Sequence, residues 1–159
     1  FMLKKIFLSC FILCLSTSVC LAQNYQRAIG VRLGFPAGLT YKQFTNHNTA
    51  FEIMGGVYLP RGINRENGGF DVTVIVMKET QVMVDELHIF YGGGGHIGSI
   101  ENDVNIGIDV MIGLEFALAR TPIAFSFDAK PGLDFASLAQ GRENFLLSGG
   151  GFTLRYTFQ

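Results

Sequence analysis

Between Val104 and Phe116 the chain alternates without a break. Val104, Ile106, Ile108, Val110, Ile112, Leu114 and Phe116 are apolar, and Asn105, Gly107, Asp109, Met111, Gly113 and Glu115 stand between them. A period of two belongs to a β-strand, whose successive side chains point to opposite faces, and not to a helix. One face of this strand is wholly apolar while the other carries Asp109 and Glu115, so the two faces meet different surroundings. Strands in soluble domains commonly stop at about five or six residues. This longer run suits a tilted strand crossing a bilayer, for which about nine to eleven residues are needed.

At the amino terminus, Lys4 and Lys5 precede an apolar run from Ile6 to Leu15, followed by Ser16, Thr17, Ser18 and a short exit ending in Ala22. That pattern predicts a secretory signal peptide over residues 1–22, cleaved after Ala22, with one domain over 23–159. A lipidated alternative would use Cys20, but Val19 ahead of it is bulkier than the small residue such a site needs. Cys10, Cys14 and Cys20 all lie in this segment, which leaves the mature chain without a thiol. A disulfide framework, a cysteine metal site and a cysteine nucleophile are thereby excluded. Without Lys4 and Lys5, ten basic residues face thirteen acidic ones, a net charge of −3 that offers nucleic acid no footing. No run of eighteen apolar residues occurs in the mature part, so any membrane crossing there is made by strands.

Seven more segments alternate in the same way. The first sets Ile29, Val31, Leu33 and Phe35 against Ala28, Gly30, Arg32 and Gly34, and after Pro36 a second runs from Gly38 to Phe44. The third sets Phe51, Ile53, Val57 and Leu59 against Ala50, Glu52, Met54, Gly56 and Tyr58. The fourth runs from Phe70 to Met77, and the connection from Lys78 to Glu86 has room for further strand residues. The fifth starts near Leu87 and contains Gly92 to Gly95; no Gly-Lys-Ser/Thr follows, which weighs against a phosphate loop and for close approach of neighbouring chains. The seventh runs from Ile123 through Lys130 and on through Pro131 to Phe135, and the proline predicts an irregular rim or bulge at that far end. The eighth sets Leu146, Phe152, Leu154, Tyr156 and Phe158 against Gly149, Gly151, Thr153, Arg155 and Thr157. Polar stretches at Arg61 to Gly69, Ser99 to Asp103 and Ala136 to Glu143 read as exposed loops. The predicted fold class is all-β, an eight-stranded antiparallel up-and-down transmembrane β-barrel.

Several of these segments closely resemble a family of small eight-stranded outer-membrane β-barrel proteins of Bacteroidota. They are Ala28-Ile-Gly-Val-Arg-Leu-Gly34, Phe90-Tyr-Gly-Gly-Gly-Gly-His-Ile-Gly98, Ile106-Gly-Ile-Asp109 with Gly113-Leu-Glu-Phe116, Thr121-Pro-Ile-Ala-Phe-Ser-Phe-Asp-Ala-Lys-Pro131 and Leu154-Arg-Tyr-Thr-Phe158. The resemblance covers nearly the whole mature chain, and the run ending in Asp128-Ala-Lys130-Pro131 is its most specific part. It implies a barrel in the outer membrane, in contact with outer-membrane lipid, and carries no established activity. The ending is also similar to the carboxy-terminal signal read by the barrel assembly machinery, with Tyr156 and Phe158 as the alternating aromatics. Gln159 after them, and Thr153 where glycine is common, depart from that pattern.

If the apolar face meets lipid, parity places Arg32, Lys42, Glu52, Asp71, His88, His96, Asp109, Glu115, Asp128, Lys130 and Arg155 inside. An eight-stranded barrel is just wide enough for side chains to fill, so these groups are expected to pair across the lumen and plug it. Arg32, Glu52, Asp109, Glu115, Asp128, Lys130 and Arg155 form the expected network. The expected protein is a monomer with an envelope-structural or surface-interaction role, non-enzymatic, without cofactor or metal, its extracellular partner unidentified. A narrow channel and a lipid-acting enzyme remain alternatives; the enzyme would draw on His96 with Ser99 or His88 with Ser126. His88 and His96, eight residues apart on one strand, stand about 26 Å apart, too far to share an ion. A secreted barrel of lipocalin type would invert the faces, burying Ile106, Ile108 and Val110 around a ligand.

Overall fold

The computed structural model describes residues 25–58, 68–82, 84–100, 103–135, 145–146 and 149–159. The segment read as a signal peptide and most of the loops expected at 61–69 and 136–143 lie outside them. The alternating segments form β1 (Arg27–Gly34), β2 (Ala37–Asn46), β3 (Thr49–Tyr58), β4 (Gly69–Val82), β5 (Val84–Ile100), β6 (Asp103–Ala117), β7 (Ile123–Ala129), β8 (Gly132–Asp134), β9 (Phe145–Leu146) and β10 (Gly150–Phe158). All pairings are antiparallel, and β1 beside β10 together with β5 beside β6 closes the sheet on itself.

The ten segments make eight wall strands. β8 continues β7, since Ile112 faces Ala129 and Asp109 faces Gly132 in one unbroken register along β6. β9 leads into β10 with a shift of one residue: Ala129 faces Gly150, whereas Gly132 faces Leu146. The irregularity expected at Pro131 is seen as the break between β7 and β8 at Lys130 and Pro131, with the change of register against β9 and β10 beside it. Pro131 still accepts a hydrogen bond from Val110 N at 2.9 Å, so the strand keeps its register although proline has no N–H to return the bond.

Two other boundaries differ from the sequence reading. β4 continues to Val82 and β5 begins at Val84, through a stretch where Lys78, Glu79, Thr80 and Gln81 end the apolar alternation while the backbone ladder goes on. Ser99 and Asp103, expected in a polar loop, belong to β5 and β6. Here pairing between two long neighbouring strands outweighs local polarity.

Hydrogen-bonded neighbours followed once around the wall run from Gly98 through Asp71, Gly56, Gly38, Arg32, Thr153, Ser126 and Glu115 back to His88. That is a displacement of ten residues along β5. With ~3.3 Å per residue and ~4.8 Å between strands, this shear tilts the strands by about 40°. The glycines of β5 serve this geometry unequally. A Cβ on inward-facing Gly94 would lie 1.8 Å from Val74 O, and one on Gly92 2.3 Å from Val76 O, while one on outward-facing Gly93 would meet its nearest atom at 3.5 Å.

The faces divide cleanly. Ala50, Met54, Ile75, Met77, Phe90 and Met111 pack inside, with Phe44 against them. Ile106, Ile108, Val110, Ile112 and Leu114 on β6 are all about half exposed on the outside.

Candidate functional site: the barrel lumen

The inward face of β4 runs Asp71, Thr73, Ile75, Met77, Glu79, and that of β6 runs Asp109, Met111, Gly113, Glu115. Each passes from polar to apolar to polar. The lumen therefore has two charged clusters, separated along one wall by Met54, Ile75 and Met111. The lower cluster lies at the end where both termini of the barrel and the turns after β2, β4 and β6 are found.

In the lower cluster Glu115 receives three donors. Tyr25 Oη donates to it, Lys42 Nζ lies at 3.1 Å and Arg155 Nη1 at 2.9 Å. Arg155 also donates to Glu52 at 2.6 Å and to Ser126 Oγ at 2.5 Å, and Lys42 pairs with Glu79. The guanidinium thus ties β10 to β3, β6 and β7, and Lys42 ties β2 to β4 and β6. Lys42, Glu52, Glu115 and Arg155 are fully or almost fully buried.

Tyr25 precedes β1 and turns its ring in under the barrel. Its ring meets Phe44 edge to face at 5.3 Å, and Lys42 Nζ stands 5.6 Å from its centroid. Burial raises the phenol well above its ordinary pKa, with Glu115 and Glu79 adding to the effect, so Tyr25 remains a neutral donor.

The upper cluster holds one Arg32–Asp128 pair and a second, looser group around Lys130. Arg32 grips Asp128 with two bonds of 2.5 and 2.6 Å. Lys130 Nζ reaches Thr73 Oγ1 at 3.0 Å, Asp109 at 3.5 Å and Asp71 at 4.0 Å. His96 Nδ1 lies 2.8 Å from the same Asp109 oxygen, and Thr73 donates to Asp71 at 2.6 Å. Glycines make the space for these side chains: a Cβ on Gly107 would touch the His96 ring at 2.6 Å, and one on Gly151 the Arg32 guanidinium at 2.7 Å.

Of the residues expected to form the network, Arg32 meets Asp128, Arg155 meets Glu52 and Glu115, and Lys130 meets Asp109. The sequence reading left Glu79, Tyr25 and Asp134 out of that set. Glu79 shares parity with Asp71 and Met77, so a longer fourth strand would have found it. Asp134 shares parity with Asp128 beyond Pro131, and it is buried. Nothing in the alternation marks Tyr25, which lies before the first strand.

The serine–histidine pairs do not form as such. His96 and Ser99 differ in parity and point to opposite faces of β5. Ser126 Oγ accepts from Arg155, while His88 Nδ1 has no hydrogen-bond partner among the described residues. Among the described residues no three His, Asp or Glu side chains are grouped to hold a metal ion. Tyr156 and Phe158 lie outside the barrel, 6.5 Å apart and stacked, with exposures of 45% and 37%. No protein-family model matches the chain, and no curated protein matches it.

Proposed function

We propose that the chain is an integral outer-membrane β-barrel whose polar lumen is plugged by ion pairs, with an envelope-structural or surface-interaction role and no catalytic one. The observation that carries this reading is the polarity of the wall. Side chains exposed around the barrel are apolar: Ile29, Val31 and Leu33 on β1, Val72, Val74 and Val76 on β4, and Val104 to Leu114 on β6. The charged side chains of the two lumen clusters are buried inside.

At a tilt of about 40°, each residue advances ~2.5 Å along the barrel axis. The outward apolar run from Val104 to Leu114 then spans ~25 Å, the height of the apolar band on outer-membrane barrels. An exposed apolar surface of this continuity exceeds what soluble monomers present to water. A soluble ligand carrier needs the opposite arrangement, with an apolar interior. Aromatic pairs on this surface, Phe116 with Phe125 at 5.3 Å and Phe127 with Phe152 at 4.9 Å, suit contact with lipid. The resemblance to Bacteroidota barrels favours the same location.

Among the described residues, four buried cations and seven buried carboxylates occupy the lumen, several of them in direct pairs across it. Opening a path for ions would separate such pairs, at a cost of several kcal/mol each. The role is accordingly assigned to the surface and the loops rather than to conduction. Planar lipid bilayers containing the folded protein test this: the plugged barrel gives no discrete conductance steps, and reproducible steps would move the assignment to a channel.

A further inference from the structure

Among the described residues, seven buried side-chain polar atoms have no hydrogen-bond partner; besides His88 Nδ1 and Asp109 Oδ1 these are Arg32 Nε, Arg155 Nε, Thr40 Oγ1, Thr153 Oγ1 and Glu52 Oε2, which run between the two lumen clusters. They do not lie at random. Thr153 and Arg155 are on β10, Arg32 on β1, Thr40 on β2 and Glu52 on β3, four strands that are consecutive around the wall. Thr153 faces Arg32 directly, and Thr40 and Arg155 both face Gly30 from either side. The Arg155 stem rests against Gly30, where a Cβ would come within 2.8 Å of its Cγ, and its guanidinium continues across β1 and β2 to Glu52.

Native proteins leave few buried polar groups unsatisfied, and clustered buried polar atoms of this kind are bridged by ordered water. We infer that the middle of the lumen is a built hydration site, holding two or more water molecules between these five atoms along the β10–β1–β2–β3 wall. The number follows from valence: one water makes at most about four hydrogen bonds, so five groups need at least two.

The chemistry of the site selects water over an anion. The two Nε–H groups only donate, and Glu52 Oε2 only accepts. Water satisfies both, whereas a halide would be set against Glu52, with Asp128 and Glu115 close by as the partners of the same two arginines. The apolar side chains Met54, Ile75 and Met111 confine the waters to one wall. The site then joins Arg32 of the upper cluster to Arg155 of the lower one by hydrogen bonds.

A crystal structure of the folded full chain, grown in bromide at a resolution that shows ordered solvent, tests the inference. Wild type is expected to show rounded density within about 2.7–3.2 Å of at least three of the five atoms, without anomalous signal. Direct pairing of these atoms with one another and no density between them would overturn it, and so would an anomalous bromide peak at the site. The volume-conserving Thr153→Val variant, checked for folding by its unboiled gel mobility, is expected to lose the density nearest residue 153 and keep the remainder. Density there unchanged by the substitution would also contradict the assignment.

Discussion

The two ends of the lumen are built from the same residue types and are braced differently. At the lower end Glu115 binds Tyr25, Lys42 and Arg155, and the two cations pass on to Glu79 and Glu52, so that one connected cluster holds strands from both halves of the chain. At the upper end Arg32 pairs with Asp128, and Lys130 sits between more distant carboxylates at 3.5 and 4.0 Å. Hydrogen-bonded charges in a shared network depend on one another, whereas isolated pairs fail singly. The lower end, where both termini of the barrel lie, is the more closely tied one, and the upper end is held by one separate pair and one looser group.

Substitutions measured by urea unfolding in lipid vesicles, with the folded fraction read from unboiled gel mobility, should reproduce that order. The largest loss is expected for Arg155→Met, which leaves Glu52 and Glu115 buried without their guanidinium, at about 3–5 kcal/mol. The wall between the two clusters comes next. Gly94→Ala drives a methyl into Val74 O and should cost about 3 kcal/mol, mostly as lost folding yield. Lys130→Met at the upper end should cost about 2 kcal/mol, less than the loss at Arg155, because Asp109 keeps His96 and Asp71 keeps Thr73. Equal losses for Arg155→Met and Lys130→Met would break the contrast between the ends.

Tyr25→Phe sharpens the comparison further, with an expected loss of about 1 kcal/mol from the missing hydrogen bond to Glu115. Its pH dependence has a definite sign. The folded phenol titrates well above 10, so its contribution is complete below ~10 and declines as pH rises beyond that, where the unfolded chain ionises first. Wild type should therefore lose stability above pH ~10 more steeply than Tyr25→Phe. The smallest effect belongs to Gly93→Ala, which points outward with room for a methyl and should stay within about 0.5 kcal/mol.

Strand count and face were legible because a half-buried strand imposes a period of two that no helix imitates, and Val104 to Phe116 carries it over the whole strand. Parity alone put Arg32 and Asp128 on one face, although they are ninety-six positions apart. Which carboxylate meets which cation was not legible, since it depends on the shear of ten residues, and shear is set by every register around the wall at once. Glu79 was missed because polar residues on both faces ended the apolar signal before the ladder ended. Tyr25 was missed because a plug supplied from outside the strands obeys no periodicity. Pro131 was legible as the place where the strand is interrupted; what it did not show is that the register along β6 is kept through the proline carbonyl, which accepts from Val110.

The central claim is that the apolar face of the wall meets lipid. Expression of the full chain in a Gram-negative host, isolation of outer membranes and electrophoresis in SDS with and without boiling test it most directly. The account predicts that the protein is found with the outer membrane and migrates differently when unheated, as a folded membrane barrel does. Recovery as a soluble periplasmic protein with a single mobility would contradict it.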